Sequence, residues 1–403
     1  MNRPITISLS PNTEPDDISS AWHVLLHPRI WKQEDFLKNT EQKLKNIFHG
    51  HQVALTSSGR NALASILEAL EIGSGDEVLV QAFTCIAVPA PVQWVGAKPI
   101  YVDIDPQTYN FDPEDLLKKI TSKTKALIVQ HTFGIPADIE RIKAIAEQHK
   151  LILIEDCAHA LGATYNNQLL GTFGDVAFLS FGRDKCISTV FGGAVVSKNP
   201  ELINKIKAFQ QKLPLPSSRW ILQQLFHPIA FNSIVPVYFS GFGKALLIVL
   251  QHLGLLSKAV EVRERTGEKP SHFGYRYSPA LAYLLNKQLD KLDRYTARRR
   301  EIVQKYVTAF NSQLPAESLL RFPITVKDPK KFLLAAREKN MLLGDWYDAP
   351  LVPATSSLSS FSYAVGMCPK AEEAAEHVIN LPTYPLLTDE QIDKVIQFVK
   401  ESL

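Results

Sequence analysis

The four cysteines of this 403-residue chain, Cys85, Cys157, Cys186 and Cys368, have no paired spacing, and no CxxC unit is present. That excludes a zinc ribbon or dithiol motif and leaves reduced thiols with no metal site as the expectation. Charge of one sign is also missing: 44 Lys and Arg against 41 Asp and Glu leave +3, too near balance to imply nucleic acid. The one basic cluster, Arg298-Arg299-Arg300, is expected on a solvated helix face. The first residues, MNRPITISLSPNTEPDD, lack the apolar core of a secretory signal, so a cytoplasmic protein is expected. No long hydrophobic run occurs either. Trp220 to Leu256 comes nearest, with no Lys, Arg, Asp or Glu between Arg219 and Lys244, but Gln223, Gln224, His227, Pro228, Asn232 and Pro236 interrupt it. The run from Ala245 to Leu250 is too short for about 30 Å of hydrocarbon. An insertion that is buried or contacts another subunit is expected there, with a membrane-touching surface as the alternative. The GxxxxGK[ST] spacing is absent, which disfavours P-loop ATP chemistry.

What is present is a regular alternation. After a helical lead-in over 1–49, VALT runs into an SSG turn and a helix with Leu63, Ile66, Leu67 and Leu70 on one face. DEVLVQAFTC, PIYVDID and KALIVQH follow as strands separated by helical segments. Strands alternating with helices imply right-handed crossovers and a mostly parallel sheet. The expected fold class is α/β: a large domain over 50–268 with a mostly parallel mixed sheet flanked by helices, including the apolar helical insertion at about 213–260. A smaller C-terminal α+β domain over 269–403 opens with a long amphipathic helix from about 280 to 310.

The chemistry gathers at strand ends, where loops leaving an open α/β sheet form a crevice. Ser57-Ser58-Gly59-Arg60 lies between a strand and a helix; taken alone it reads first as a helix cap made by Ser57 or Ser58, and as an anion cradle second. Asp156 emerges from an apolar strand, where a bare carboxylate is costly without a cation, whether a protein side chain or a protonated cofactor ring. Ser180 and Lys185 would each be ordinary loop residues alone. Together at adjacent strand ends, with Gly192-Gly193 just downstream, they suggest a pocket in which a lysine amine condenses with an aldehyde. Pyridoxal phosphate needs a lysine, a carboxylate for the ring nitrogen, a phosphate cradle and a flat face. Three of these have candidates.

These blocks, together with GDEVLVQAFT, VGAKPIYVDIDPQTYNFDPEDL, IEDCAHALGA, GTFGDVAFLSF, YRYSPALAYLLNKQL and LPTYPLLTDEQI, resemble the DegT/DnrJ/EryC1/StrS family of pyridoxal-phosphate sugar aminotransferases over most of the chain. The resemblance implies the fold type I architecture of that cofactor class. It also implies Lys185 as the residue that holds the cofactor and moves the proton, Asp156 at the ring nitrogen, and Ser180 with Ser58, Gly59 and Arg60 at the phosphate. Arg60 stands where the family often has threonine; it either bonds the phosphate or points outward. Cys85 occupies the position of the usual stacking aromatic, with Phe83 as the candidate replacement, and His159 that of a glutamine at the ring hydroxyl. Gly274, before Tyr275-Arg276, replaces an asparagine that reaches a neighbouring subunit's cofactor. Histidine in place of the lysine accompanies sugar dehydration in this family, so the retained lysine implies transamination. The implied reaction moves an amino group from an amino acid such as glutamate to a keto-sugar nucleotide, within a homodimer. Two alternatives stand beside it: a non-sugar or lipid-linked acceptor, motivated by Trp220 to Leu250, and a non-catalytic member, motivated by Cys85 and Gly274.

Overall fold

The computed structural model describes residues 4–403. Seven strands form the central sheet: β1 (Gln52–Thr56), β2 (Glu77–Gln81), β3 (Lys98–Val102), β4 (Thr124–Gln130), β5 (Ile152–Asp156), β6 (Val176–Ser180) and β7 (Gly193–Ser197). Their order across the sheet is β1-β7-β6-β5-β4-β2-β3, with every neighbouring pair parallel except the two made by β7. The strands are runs of Val, Ile, Leu and Ala with both faces covered, as parallel strands under helices require. Because β7 runs against its neighbours, its first residue, Gly193, lies opposite both Thr56, the last of β1, and Ser180, the last of β6. Three chain segments therefore meet on one edge of the sheet.

The helices cover this sheet in two cores. Helix α1 (Pro15–Leu26) leads to α2 (Asp35–Ile47), and α3 (Gly59–Ala69) follows β1 with Leu63, Ile66 and Leu67 fully buried and Leu70 partly so. The apolar stretch forms α4 (Ser218–Ile234) and α5 (Phe242–His252), which share a small core of Phe231, Ile234, Val235 and Leu256. No helix among the described residues is long and apolar enough to cross a membrane. The single helix expected from 280 to 310 is two, α6 (Pro279–Leu289) and α7 (Leu292–Phe310). The break falls at Asp290-Lys291, where the Lys291 amine is drawn to Glu14, Asp16 and Asp17. The antiparallel pair β8 (Arg321–Thr325) and β9 (Val378–Pro382) carries the rest, and the N-terminal Ile5–Thr6 pairs with Met341–Leu342.

The basic cluster does not lie wholly on a solvated face. Arg299 is buried, donating to the Thr383 carbonyl at 3.1 Å and to Asn12 Oδ1 at 3.2 Å, while Arg298 and Arg300 pair with Asp389 and Glu317. A 3.6-residue period turns only some of three consecutive side chains outward.

Candidate active site

The loops leaving β1, β5 and β6 enclose a cavity of about 180 Å³. At one end Ser58 caps α3, its Oγ accepting from the Asn61 N–H at 3.2 Å, and the free N–H groups of that first turn give an anion a natural seat. The backbone here is packed too closely for side chains. A Cβ on Gly193 would stand 2.5 Å from the Ser58 carbonyl carbon, and one on Gly59 would stand 3.1 Å from Ser180 Cβ. Glycine at both positions lets Ser58, Gly59 and Ser180 line the same end of the cavity.

Arg60 lines this end as well. Its guanidinium pairs with the buried Glu264 and donates to the Ala259 carbonyl at 3.0 Å, tying α3 to the strap over residues 257–273 that follows α5. The same strap accepts from Asn61 Nδ2 through the Phe273 carbonyl (2.7 Å) and from Trp94 Nε1 through Gly267 (2.7 Å).

Lys185 and Asp156 line the middle of the cavity. The lysine sits on a loop closed by two backbone bonds, Phe181 N–H to Gly192 (2.8 Å) and Thr189 N–H to Phe181 (3.0 Å). Asn12 Nδ2 donates to its carbonyl at 2.8 Å, and Arg299 in turn holds Asn12. Burial lowers the Lys185 pKa, with Asp156 opposing, so more of the amine is free base than on a surface. Asp156 accepts from the Ala158 N–H at 2.9 Å, and burial pushes its pKa up to about 6, offset by that bond and by Lys185. Its sequence neighbour Glu155 points to the other face and serves structure. It accepts from the N–H groups of Gly171, Phe173 and Gly174 and from His131, whose Nδ1 accepts from Ala137. His131, Glu155 and Cys157 lie close enough to hold an ion, but the donors of His131 and Glu155 are already engaged.

His159 is buried in the cavity wall. The Phe133 N–H donates to its Nδ1 at 3.2 Å, so the neutral ring carries its proton on Nε2. Burial, then Lys185 and Arg321, hold its pKa well below the usual histidine range. Phe83 does not provide the flat face. It is wholly buried against Tyr109, Phe133 and Tyr347, because a positive φ of 61° turns it under the strand end, and Cys85 rather than Phe83 reaches the wall. Beside Phe178 and Phe191, the C-terminal half adds Trp346 and Tyr347 to the wall. Trp346 carries the Arg321 guanidinium at 3.4 Å and lies 5.3 Å from Lys185 Nζ, and His159 stacks on it at 5.6 Å. Nothing near Trp346 or Tyr347 in the sequence marks them; Asn12 likewise sits in a segment without periodicity. Gly274 lies outside the cavity, with open space around it, and Arg276 pairs with Glu34.

The family model of the DegT/DnrJ/EryC1/StrS aminotransferases matches residues 14–218 and 244–400. The chain belongs to this family. It is an aminotransferase whose cofactor is pyridoxal phosphate. Among curated relatives, the GDP-perosamine synthase of Escherichia coli O157:H7 is 29% identical over 92% of this chain and 91% of its own length. A UDP-N-acetyl-3-dehydro-alpha-D-glucosamine 3-aminotransferase of Acidithiobacillus ferrooxidans is 30% identical over 89% and 86%. A pleiotropic regulatory protein of Geobacillus stearothermophilus is 28% identical over 91% and 89%. The solved structure of NtdA from Bacillus subtilis, with bound PMP, superposes with a TM-score of 0.77 at 22% identity, covering all of this chain and 85% of that one.

The residues of the aminotransferase fit that cofactor. A cradle that a Cβ would fill, a buried carboxylate, an amine of lowered pKa and a neutral imidazole N–H all line one cavity.

Proposed function

We propose that this aminotransferase moves an amino group from an amino acid, glutamate being the first candidate, to a keto-sugar nucleotide. The relatives named for GDP-, UDP- and dTDP-linked sugars support the acceptor class. The observation that carries the site assignment is the part-buried Lys185 and the buried Asp156 in one cavity at adjacent strand ends, beside the Ser58-Gly59 cradle. When bound, pyridoxal phosphate supplies an aldehyde for amines and a ring that withdraws electrons from the substrate carbon. Lys185 Nζ would hold the cofactor, and as a free amine would take the donor's α-proton and return it in the course of the transfer. Asp156 would keep the ring nitrogen protonated, a cation that would offset the burial of its carboxylate. Ser58, Gly59 and Ser180 would take the phosphate. His159 Nε2–H would serve the ring hydroxyl, with Trp346, Tyr347 and Cys85 lining the cavity around the ring. Residues 50–268 act as the cofactor-binding domain and 269–403 as the smaller one that faces it.

Titrating purified protein with pyridoxal phosphate tests this. A visible absorbance band that disappears in Lys185→Ala and changes on adding glutamate is expected; no band in the unaltered protein overturns the reading, and would favour the regulatory sense of one relative's name. A panel of keto-sugar nucleotides offered to the amine-loaded enzyme then identifies the acceptor. We also propose a homodimer, with residues around Gly274 turned toward a second copy, which light scattering would check. A peripheral membrane contact through Trp220 to Leu250 completes the proposal, since that stretch leaves large apolar side chains exposed.

A further inference from the structure

Helix α5 is apolar on both sides. Its inner side packs Leu246, Leu247 and Leu250 on the small core shared with α4. On the outer side of the helical wheel Phe242, Val249 and Leu253 align, with Ile248 beside them, and they are 66%, 53%, 62% and 44% exposed. Such a patch marks an interaction surface rather than ordinary exposure.

The charge on this stretch of the chain has one sign. From Leu202 to Val260 the chain contains no Asp or Glu, whereas Arg219, Lys244 and Lys258 are all exposed near the patch. The helix packed on α4 is α1, whose acids Glu14, Asp16 and Asp17 are held by Lys291, with Arg294 adding to Glu14. Glu261, the first acid after the stretch, accepts from Ser271 and His272. The family model passes over residues 219–243, which take in most of α4 and the turn into α5.

We propose that the α4–α5 hairpin seats the protein on an anionic lipid bilayer. Phe242, Val249 and Leu253 enter the headgroup boundary, and Arg219, Lys244 and Lys258 meet lipid phosphates. This deepens the peripheral contact proposed above by naming its face and its lipid chemistry, and it does not depend on the sugar acceptor. A second copy suits this face less, because self-pairing sets its cations against one another with no acid of the hairpin to answer them. Spanning is excluded by length, since the 11 residues of α5 reach only about 16 Å. The hairpin is wired to the cavity: Ser257 Oγ donates to Gln224 of α4 at 2.8 Å and accepts from the cavity residue Arg183 at 2.5 Å, and Ala259 and Val260 line the cavity itself. Docking therefore holds the cavity beside the membrane surface.

Co-sedimentation of the cofactor-loaded enzyme with phosphatidylglycerol-containing vesicles, against pure phosphatidylcholine vesicles, tests the proposal. Binding to the anionic vesicles alone is expected, weakened roughly tenfold or more by raised salt. The Phe242→Glu, Val249→Glu, Leu253→Glu triple variant should lose it while keeping the visible cofactor band, which reports its fold. Should that variant not fold, Lys244→Glu with Lys258→Glu provides the same contrast from charge alone. Absence of binding to anionic vesicles, or equal binding by the folded variants, overturns the proposal. A fall in oligomer mass of the triple variant in vesicle-free solution also overturns it, in favour of a second copy on this face. Vesicle binding by a protein that shows no cofactor band would strike the aminotransferase chemistry and leave the docking intact.

Discussion

The two sides of the cavity are made differently. One side is sheet register: Thr56, Gly193 and Ser180 in a row, Asp156 paired to Phe178 on β6, and Lys185 on a loop pinned at both ends. The facing side is assembled from distant pieces, with Trp346 and Tyr347 from the C-terminal half and Ala259 and Val260 from the strap. Register fixes where Asp156 and the Lys185 loop stand, whereas the facing wall can change without moving them. Departures at Arg60, Cys85 and His159 border that facing wall, and the reaction class survives them.

The sharpest break of this contrast is Lys185→Ala. It should cut transamination roughly ten-thousand-fold or more and remove the visible cofactor band, while melting temperature changes little. Comparable activity without Lys185 would mean that the register side does not carry the chemistry.

Next in size is Arg60→Met. It strands the Glu264 carboxylate, only 3% exposed, and should cost about 3 kcal/mol in denaturant unfolding, with the strap becoming protease-sensitive. Adding Glu264→Gln should restore most of the loss. If the single variant unfolds as the unaltered protein does, the pair does not hold the strap.

On the register side the corresponding change is Gly193→Ala. The new Cβ would meet Ser58 backbone at 2.5 Å, which must move, at about 2 kcal/mol of stability and with weaker cofactor binding by spectral titration. Unchanged affinity would show that the cradle is not where the phosphate sits.

The same contrast explains what could be read from sequence. Strand ends are local features: an apolar run that stops at Asp156 or Ser180 announces both a strand and its exit, so the α/β class and the meeting of Lys185 with Asp156 in one cavity were legible. The facing wall was not, because Trp346 and Tyr347 reach the cavity only through tertiary packing, and Phe83 lost its expected place to a left-handed backbone turn that no pattern signals. Arg60 shows the same limit, since its partner Glu264 is about two hundred positions away. Arg299 was misplaced because consecutive arginines look solvated until one of them has buried carbonyl and amide oxygens to bond.

The smallest expected effect tests where the two sides meet, at His159. Its folded pKa lies well below 6.5, so between that value and 6.5 the unfolded chain binds a proton that the folded chain refuses. Stability from this group is therefore full above pH 6.5 and declines as pH falls below it, by at most about 1.4 kcal/mol per unit. Asp156, raised to about 6, works in the opposite sense: its stabilisation is present at low pH and is lost as pH rises from the usual carboxylate range through 6. Comparing the cofactor-free protein with His159→Gln cancels that contribution, because both proteins contain Asp156, and glutamine keeps an N–H donor without titrating. Melting curves at pH 7.5, 6.5 and 5.5 should run parallel down to roughly pH 6.5 and then diverge, the histidine protein falling faster. Curves that stay parallel throughout would mean that His159 accepts a proton in the folded protein. The Phe133 N–H bond to Nδ1 would then have to break, and the ring could no longer be the fixed neutral donor that links the sheet to the aromatic wall.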